Sequence, residues 1–81
     1  MTVKEVFDMI SAQTGMSRND MANKIGLKRR SNLNTPLGQN EGMGMSVKNL
    51  IRLLEPLGYQ LSVTSVEDND VEMVLDGEPE L

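Results

Sequence analysis

The stretch Thr14-Gly15-Met16-Ser17-Arg18-Asn19-Asp20-Met21-Ala22-Asn23-Lys24-Ile25-Gly26-Leu27 decides how this chain folds. Ser17 followed three residues later by Asp20 is a helix-start signal, because the two side chains satisfy amides that a first turn leaves without partners. Met21, Ala22 and Ile25 then share one side of a helix, and Ala22 is small where a second helix has to come close. Gly26 stands where a left-handed residue ends a helix, and Gly15 does the same for the helix before it. The pattern predicts a helix over about residues 18–25, entered from one helix and left through a turn.

Downstream lies Lys28-Arg29-Arg30-Ser31-Asn32-Leu33-Asn34-Thr35, with Pro36 beyond. A short third helix over about residues 29–35 is expected after a turn of two to three residues, with Pro36 disfavouring helical backbone at Thr35. Leu33 and Leu37 are its candidate inward residues; the rest is polar or basic and unattractive as core. Such a helix makes sense in the major groove of DNA, where polar side chains meet base edges.

Upstream, Thr2-Val3-Lys4-Glu5 forms a capping box, and Val3, Val6, Phe7 and Ile10 give a stripe that predicts a first helix over residues 3–14. The glycine-rich run Gly38 to Gly44 reads as loop. Ser46 caps a fourth helix over residues 47–57, with Val47, Leu50, Ile51, Leu53, Leu54 and Leu57 as its apolar stripe and Gly58 as its stop. Tyr59, Leu61 and Val63 alternate with Gln60, Ser62 and Thr64, predicting a strand over residues 59–66. Glu67-Asp68-Asn69-Asp70 is a turn, Val71 to Leu75 a second strand, and Asp76 to Leu81 a frayed acidic tail. One domain is expected, with residues 1–66 holding the helices and first strand, and residues 67–81 the acidic turn, second strand and tail.

Composition narrows the function. The chain has 81 residues with no cysteine and no histidine, so it lacks a disulfide framework, a thiol nucleophile and an imidazole base. Zinc cannot be held by nitrogen and sulfur ligands, and Phe7 and Tyr59 are the only aromatics available to line a substrate pocket. A non-enzyme is expected, with no cofactor, no metal and no small-molecule substrate. No run approaches the roughly 20 apolar residues of a membrane span, and the first residues lack the pattern of a secretory signal, so the cytoplasm is the default location. Net charge is −4 but segregated. Residues 1–35 hold six Lys/Arg against three Asp/Glu, whereas residues 67–81 hold seven acids and no base. The first half can therefore present a basic face.

Residues 3–65 resemble the Cro/CI-type (XRE-like) helix-turn-helix family. The resemblance is carried by Gly15-Met16-Ser17, Met21-Ala22 and Ile25-Gly26-Leu27, and by the later block Met45 to Tyr59, similar to that family's closing helix leading into a strand. It departs from the family at Pro36, where the recognition helix of many relatives continues, and in its longer Gly38–Gly44 loop. The resemblance implies a mainly α, four-helix phage-repressor-like domain followed by a short β-hairpin, acting as a DNA-binding transcription regulator of phage or mobile-element origin, in the sense of a repressor. It implies base contacts from Arg29, Arg30, Asn32 and Asn34, since arginine bridges guanine O6 and N7 and asparagine pairs with adenine. Ser17, Arg18, Asn19 and Lys28 would touch phosphates.

Each residue also has a plainer reading. Lys28-Arg29-Arg30 taken alone is a solvated patch, Asn32 and Asn34 can serve only to end a helix, Ser17 is chiefly a cap, and the methionines are core and loop filler. The hairpin, marginal by itself, suggests that a second copy pairs through Tyr59, Leu61, Val63, Val71 and Met73, giving a homodimer on a palindromic double-stranded DNA site. Two competing functions stand beside the regulator. One is a protein-interaction module that keeps the fold but not the DNA site, such as an inhibitor of a nucleic-acid-binding host protein, using the acidic segment Glu67–Glu80, whereas the antitoxin of a toxin–antitoxin pair would be an autorepressing form of the regulator itself. The other, ranked lowest, is an RNA binder, for which aromatic stacking surface is almost lacking.

Overall fold

The computed structural model describes residues 1–76. Among them the chain is mainly helical, with four α-helices followed by a two-stranded antiparallel hairpin. These residues form two compact units, one of residues 1–45 and one that begins at Ser46. The expected tail from Asp76 onward lies, beyond its first residue, outside the described residues.

In the first unit, helix α1 spans Val3–Thr14 and α2 spans Arg18–Ile25, both as the capping pattern predicts. Each start carries a complete capping box. The Thr2 hydroxyl accepts from the Glu5 amide, and the Ser17 hydroxyl accepts from the Asp20 amide at 3.1 Å while the Ser17 amide donates to the Asp20 carboxylate at 3.1 Å. Replacing Ser17 with alanine removes one of these bonds and leaves the Asp20 amide without its partner. Ser17→Ala is expected to lower stability by about 1 kcal/mol, read as a shifted urea midpoint at unchanged slope.

Gly26 ends α2 in the left-handed region at φ 93°, and its amide and that of Leu27 fold back onto the Ala22 carbonyl. The five residues Gly26–Arg30 then separate α2 from α3, rather than the two or three expected. Helix α3 runs Ser31–Gly38, which corrects the sequence reading at both ends. Arg29 and Arg30, expected inside the helix, bend into it together with Lys28 instead, with the Asn32 amide donating to the Arg29 carbonyl at 3.1 Å. At the far end Pro36 lies inside the helix. Leu33 and Leu37, one turn apart, are 0% and 2% exposed, so ending the helix at Thr35 would forfeit the burial of Leu37. Burial outweighs one lost backbone hydrogen bond here.

The buried side chains of this unit are Phe7 and Ile10 of α1, Met21 and Ala22 of α2, and Leu33 and Leu37 of α3. Helix α3 packs against both α1 and α2, and α1 also packs against a 3₁₀ turn over Gln39–Gly42. That turn takes the place of a featureless loop. It holds Asn40 and Glu41 in left-handed backbone at φ 49° and 54°, followed by buried Gly42 at φ 79°.

In the second unit, Ser46 caps α4, Val47–Leu54, and a 3₁₀ turn over Glu55–Leu57 replaces the last helical turn expected from sequence. Pro56 has no amide to continue the α-helical ladder, and the Gly58 amide instead closes onto the Glu55 carbonyl. Ile51, Leu53, Leu54 and Leu57 are buried and Leu50 half-buried, but Val47 is exposed, so the inward stripe begins later than predicted.

Strands β1, Leu61–Thr64, and β2, Glu72–Leu75, are shorter than the expected 59–66 and 71–75. Local hydrogen bonds trim them. The Tyr59 amide turns back to the Leu54 carbonyl, and the Ser65 hydroxyl accepts from the amides of Glu67 and Asp68, drawing the chain into a turn. The register pairs Leu61 with Leu75 and Val63 with Met73 on one face, and Ser62 with Val74 and Thr64 with Glu72 on the other.

Candidate nucleic-acid interface

A site for an anionic polymer has to start from cations that are exposed and adjacent. Six of the eight Lys/Arg lie within residues 1–45, and three of these are consecutive: Lys28, Arg29 and Arg30. All three are exposed in the turn that leads into α3. Arg30 occupies the cap position of α3 without a side-chain cap bond, and its carbonyl accepts the amides of Leu33 and Asn34. The backbone of this cationic turn is thus tied to the first turn of α3.

The outer side of α3 is uncharged and polar. Ser31, Asn32 and Thr35 are exposed, Asn34 is half-buried, and Leu33 and Leu37 hold the opposite side. Of the four residues assigned to bases by resemblance, Asn32 and Asn34 are therefore on the helix, while Arg29 and Arg30 precede it. The two asparagines are not equivalent, because Asn32 is the more accessible.

The four residues assigned to phosphates are differently placed. Lys28 and Asn19 are exposed. Ser17 already accepts from the Asp20 amide and gives its own amide to the Asp20 carboxylate, leaving its hydroxyl proton to offer. Arg18, only 20% exposed at its side chain, directs its guanidinium at Asp8 of α1 with an Nη2–Oδ1 distance of 2.6 Å. A phosphate reaching Arg18 would have to share it with that carboxylate. The pairing joins positions ten residues apart and has no local sequence signal.

Compared with family models, curated proteins and solved structures, the chain finds no match in any of the three.

In the second unit, residues 46–81 hold two Lys/Arg, at Lys48 and Arg52, against eight Asp/Glu, so an anion has little reason to approach it. A shallow groove of about 330 Å3 there is lined by Tyr59, Val74 and Leu75 and edged by Glu55 and Asp76. Of the five residues expected to contact a second copy, Val63 and Met73 are cross-strand partners on one face and both about half exposed. Leu61 lies on that face too, half-buried, and Val71 continues it, its carbonyl accepting the Ser65 amide. Tyr59 precedes the ladder and is half-buried. Among the described residues no acidic cluster is arranged to hold a metal ion, and no helix is long and apolar enough to cross a membrane.

Proposed function

We propose that this chain is a sequence-specific DNA-binding regulator of the helix-turn-helix kind, presenting α3 to the major groove and acting as a homodimer. The observation that carries the reading is the run of three exposed cations fixed at the start of a helix whose outer side is polar and whose inner side is two buried leucines. A helix docking on DNA is expected to contact base edges with its first residues, while cations beside it neutralise phosphates. Ser31, Asn32 and Thr35 carry donors and acceptors without charge, which suits reading bases rather than merely holding the backbone.

Binding measured against salt tests the reading. Affinity for duplex DNA should fall linearly on a logarithmic scale as salt rises, with a slope near −0.9 for each phosphate neutralised. Replacing Arg29 and Arg30 together with alanine should cost about 100-fold or more in affinity for the preferred sequence, while the melting temperature stays put. Lys28→Ala should weaken binding to all sequences alike and reduce the slope by about 1. Duplex binding indifferent to salt and to the paired arginine substitution would sink the proposal.

The acidic run supports a second reading, a protein-interaction module of the inhibitor type. Glu67, Asp68, Asp70, Glu72 and Asp76 are all exposed in and around the hairpin, and a negative surface can occupy a partner's nucleic-acid groove. Loss of a protein partner on neutralising these carboxylates, with no duplex binding at any salt, would favour it.

A further inference from the structure

The hairpin is left bare. No residue of either strand is buried, although Leu61, Val63, Met73 and Leu75 line one continuous apolar face. A two-stranded ribbon of four-residue strands is marginal in water without cover, and each of its strands is an edge with backbone groups to pair.

The ladder shows which groups those are. The Ser65 amide donates to the carbonyl of Val71, its direct partner when the register is continued, so Ser65–Val71 is a hydrogen-bonded pair. Such pairs alternate along an antiparallel ladder, which makes Val63–Met73 and Leu61–Leu75 the next two. Glu72 and Val74 therefore direct their amides and carbonyls outward from β2, and Ser62 and Thr64 direct theirs outward from β1.

Charge and shape separate the two edges. From Tyr59 to Val66 no residue is acidic or basic, so nothing along β1 selects a partner by charge. Strand β2 carries Glu72 and is bracketed by Asp70 and Asp76, all three exposed. The groove of Tyr59, Val74 and Leu75 lies at the end of this same strand, with Glu55 and Asp76 at its margin. Two carboxylates beside an apolar trough suit a long cationic side chain, whose methylene stem packs in the trough while its head meets the acids. A second copy of β2 is a poor occupant. Centred on Val74 it would set Glu72 opposite Asp76, and like charges directly opposite are destabilising.

We infer that the outer edge of β2 takes an extended cationic segment of a partner protein as an added antiparallel strand. Main-chain bonds to Glu72 and Val74 supply the affinity, and side chains at alternate positions supply the choice. The segment carries a cation opposite Glu72, an apolar residue opposite Val74, and a second cation two residues further on, reaching the groove beside Glu55 and Asp76. The residues between these fall on the face of Met73 and Leu75 and are apolar. The inference deepens the second reading above, from which it takes only that the acidic hairpin meets a protein, and it holds whether or not the first unit binds DNA.

The probe is the capped peptide Thr-Lys-Val-Ile-Val-Lys-Thr, carrying a dye at one end and titrated with the full chain. Its anisotropy should rise on binding, and the binding should weaken as salt is added. Hydrogen exchange locates it: the amides of Glu72 and Val74 should slow, and those of Ser62 and Thr64 should not. The same peptide N-methylated at the residues opposite Glu72 and Val74 keeps its charges but cannot donate to β2, and should bind about tenfold or more weakly. Glu72→Gln should cost roughly two- to fivefold, the share of one cross-strand ion pair. Val74→Pro deletes an outward amide of β2 and should abolish binding, whereas Thr64→Pro, on the other edge, should leave it unchanged. Equal binding after N-methylation, slowed exchange at Ser62 and Thr64 instead, or no binding up to about 1 mM peptide overturns the inference. An undocked peptide, beside a protein partner lost on neutralising the hairpin carboxylates, removes this inference and leaves the broader reading standing. A peptide docked on β2 in a chain whose partner ignores those carboxylates does the reverse.

Discussion

Gly42→Ala should lower the melting temperature by roughly 10–40 °C, a large effect for one methyl group. Two independent costs add. At φ 79° the backbone is left-handed, which costs an L-residue about 1–2 kcal/mol. A Cβ there would also stand 2.9 Å from the Val3 Cβ, 3.0 Å from its Cγ1 and 3.4 Å from the Leu37 Cδ2. The Val3 Cβ is bonded straight to the backbone of the first turn of α1, which a capping box holds in place, so it cannot swing aside like the end of a long side chain. Either α1 or the 39–42 turn has to move, at the ~1–3 kcal/mol typical of overpacking. Each kcal/mol is worth about 4–8 °C in a domain of this size. Gly44→Ala is the control, with nothing within 4 Å of its added carbon and no positive φ, and it should melt within a degree or two of the parent. A Gly42→Ala protein that melts beside the control would show that the turn yields freely.

That sensitivity is invisible in the sequence, and the reason generalises across the chain. Signals that act within four residues are legible: Thr2 with Glu5, Ser17 with Asp20, and the glycines at 15 and 26 place α1 and α2 to the residue. Features that depend on distant partners are not. Pro36 announces a helix end, yet α3 continues through it because Leu37 has a buried place to fill. Alternation predicts a strand through residue 66, but the Ser65 hydroxyl captures two amides and turns the chain at 65. At the candidate interface the residue types were readable and their posture was not. Arg29 and Arg30 lie in the turn with Lys28 rather than in the first turn of a helix, and Arg18 is engaged by Asp8 across the α1–α2 junction. Both facts arise from how helices meet.

Leu33→Ala tests how far α3 owes its existence to such meeting. The helix has little local support, being built from Ser31, Asn32, Asn34, Thr35 and an internal Pro36, with no side-chain cap at its start. Serine, asparagine and threonine are mediocre helix formers, and an internal proline costs about 3 kcal/mol relative to alanine. The compensation has to come from Leu33 and Leu37, buried one turn apart. Truncating a fully buried leucine typically costs ~2–5 kcal/mol, a large share of the ~5–15 kcal/mol that holds a small domain together. A drop of that size in unfolding free energy is expected for Leu33→Ala, against less than about 1.5 kcal/mol for the volume-conserving Leu33→Met. The consequence for DNA should be separable from stability. At low temperature, where the variant is still folded, a loosened α3 also loosens the cationic turn, whose carbonyls at Arg29 and Arg30 are bonded to the amides of Asn32, Leu33 and Asn34. On the DNA-binding function proposed above, preference for one sequence should then fade while salt-dependent affinity for any duplex persists, since phosphate attraction tolerates a mobile cation and base reading does not. Leu33→Ala unfolding within about 1 kcal/mol of the parent would mean that burial is not what carries α3 through Pro36.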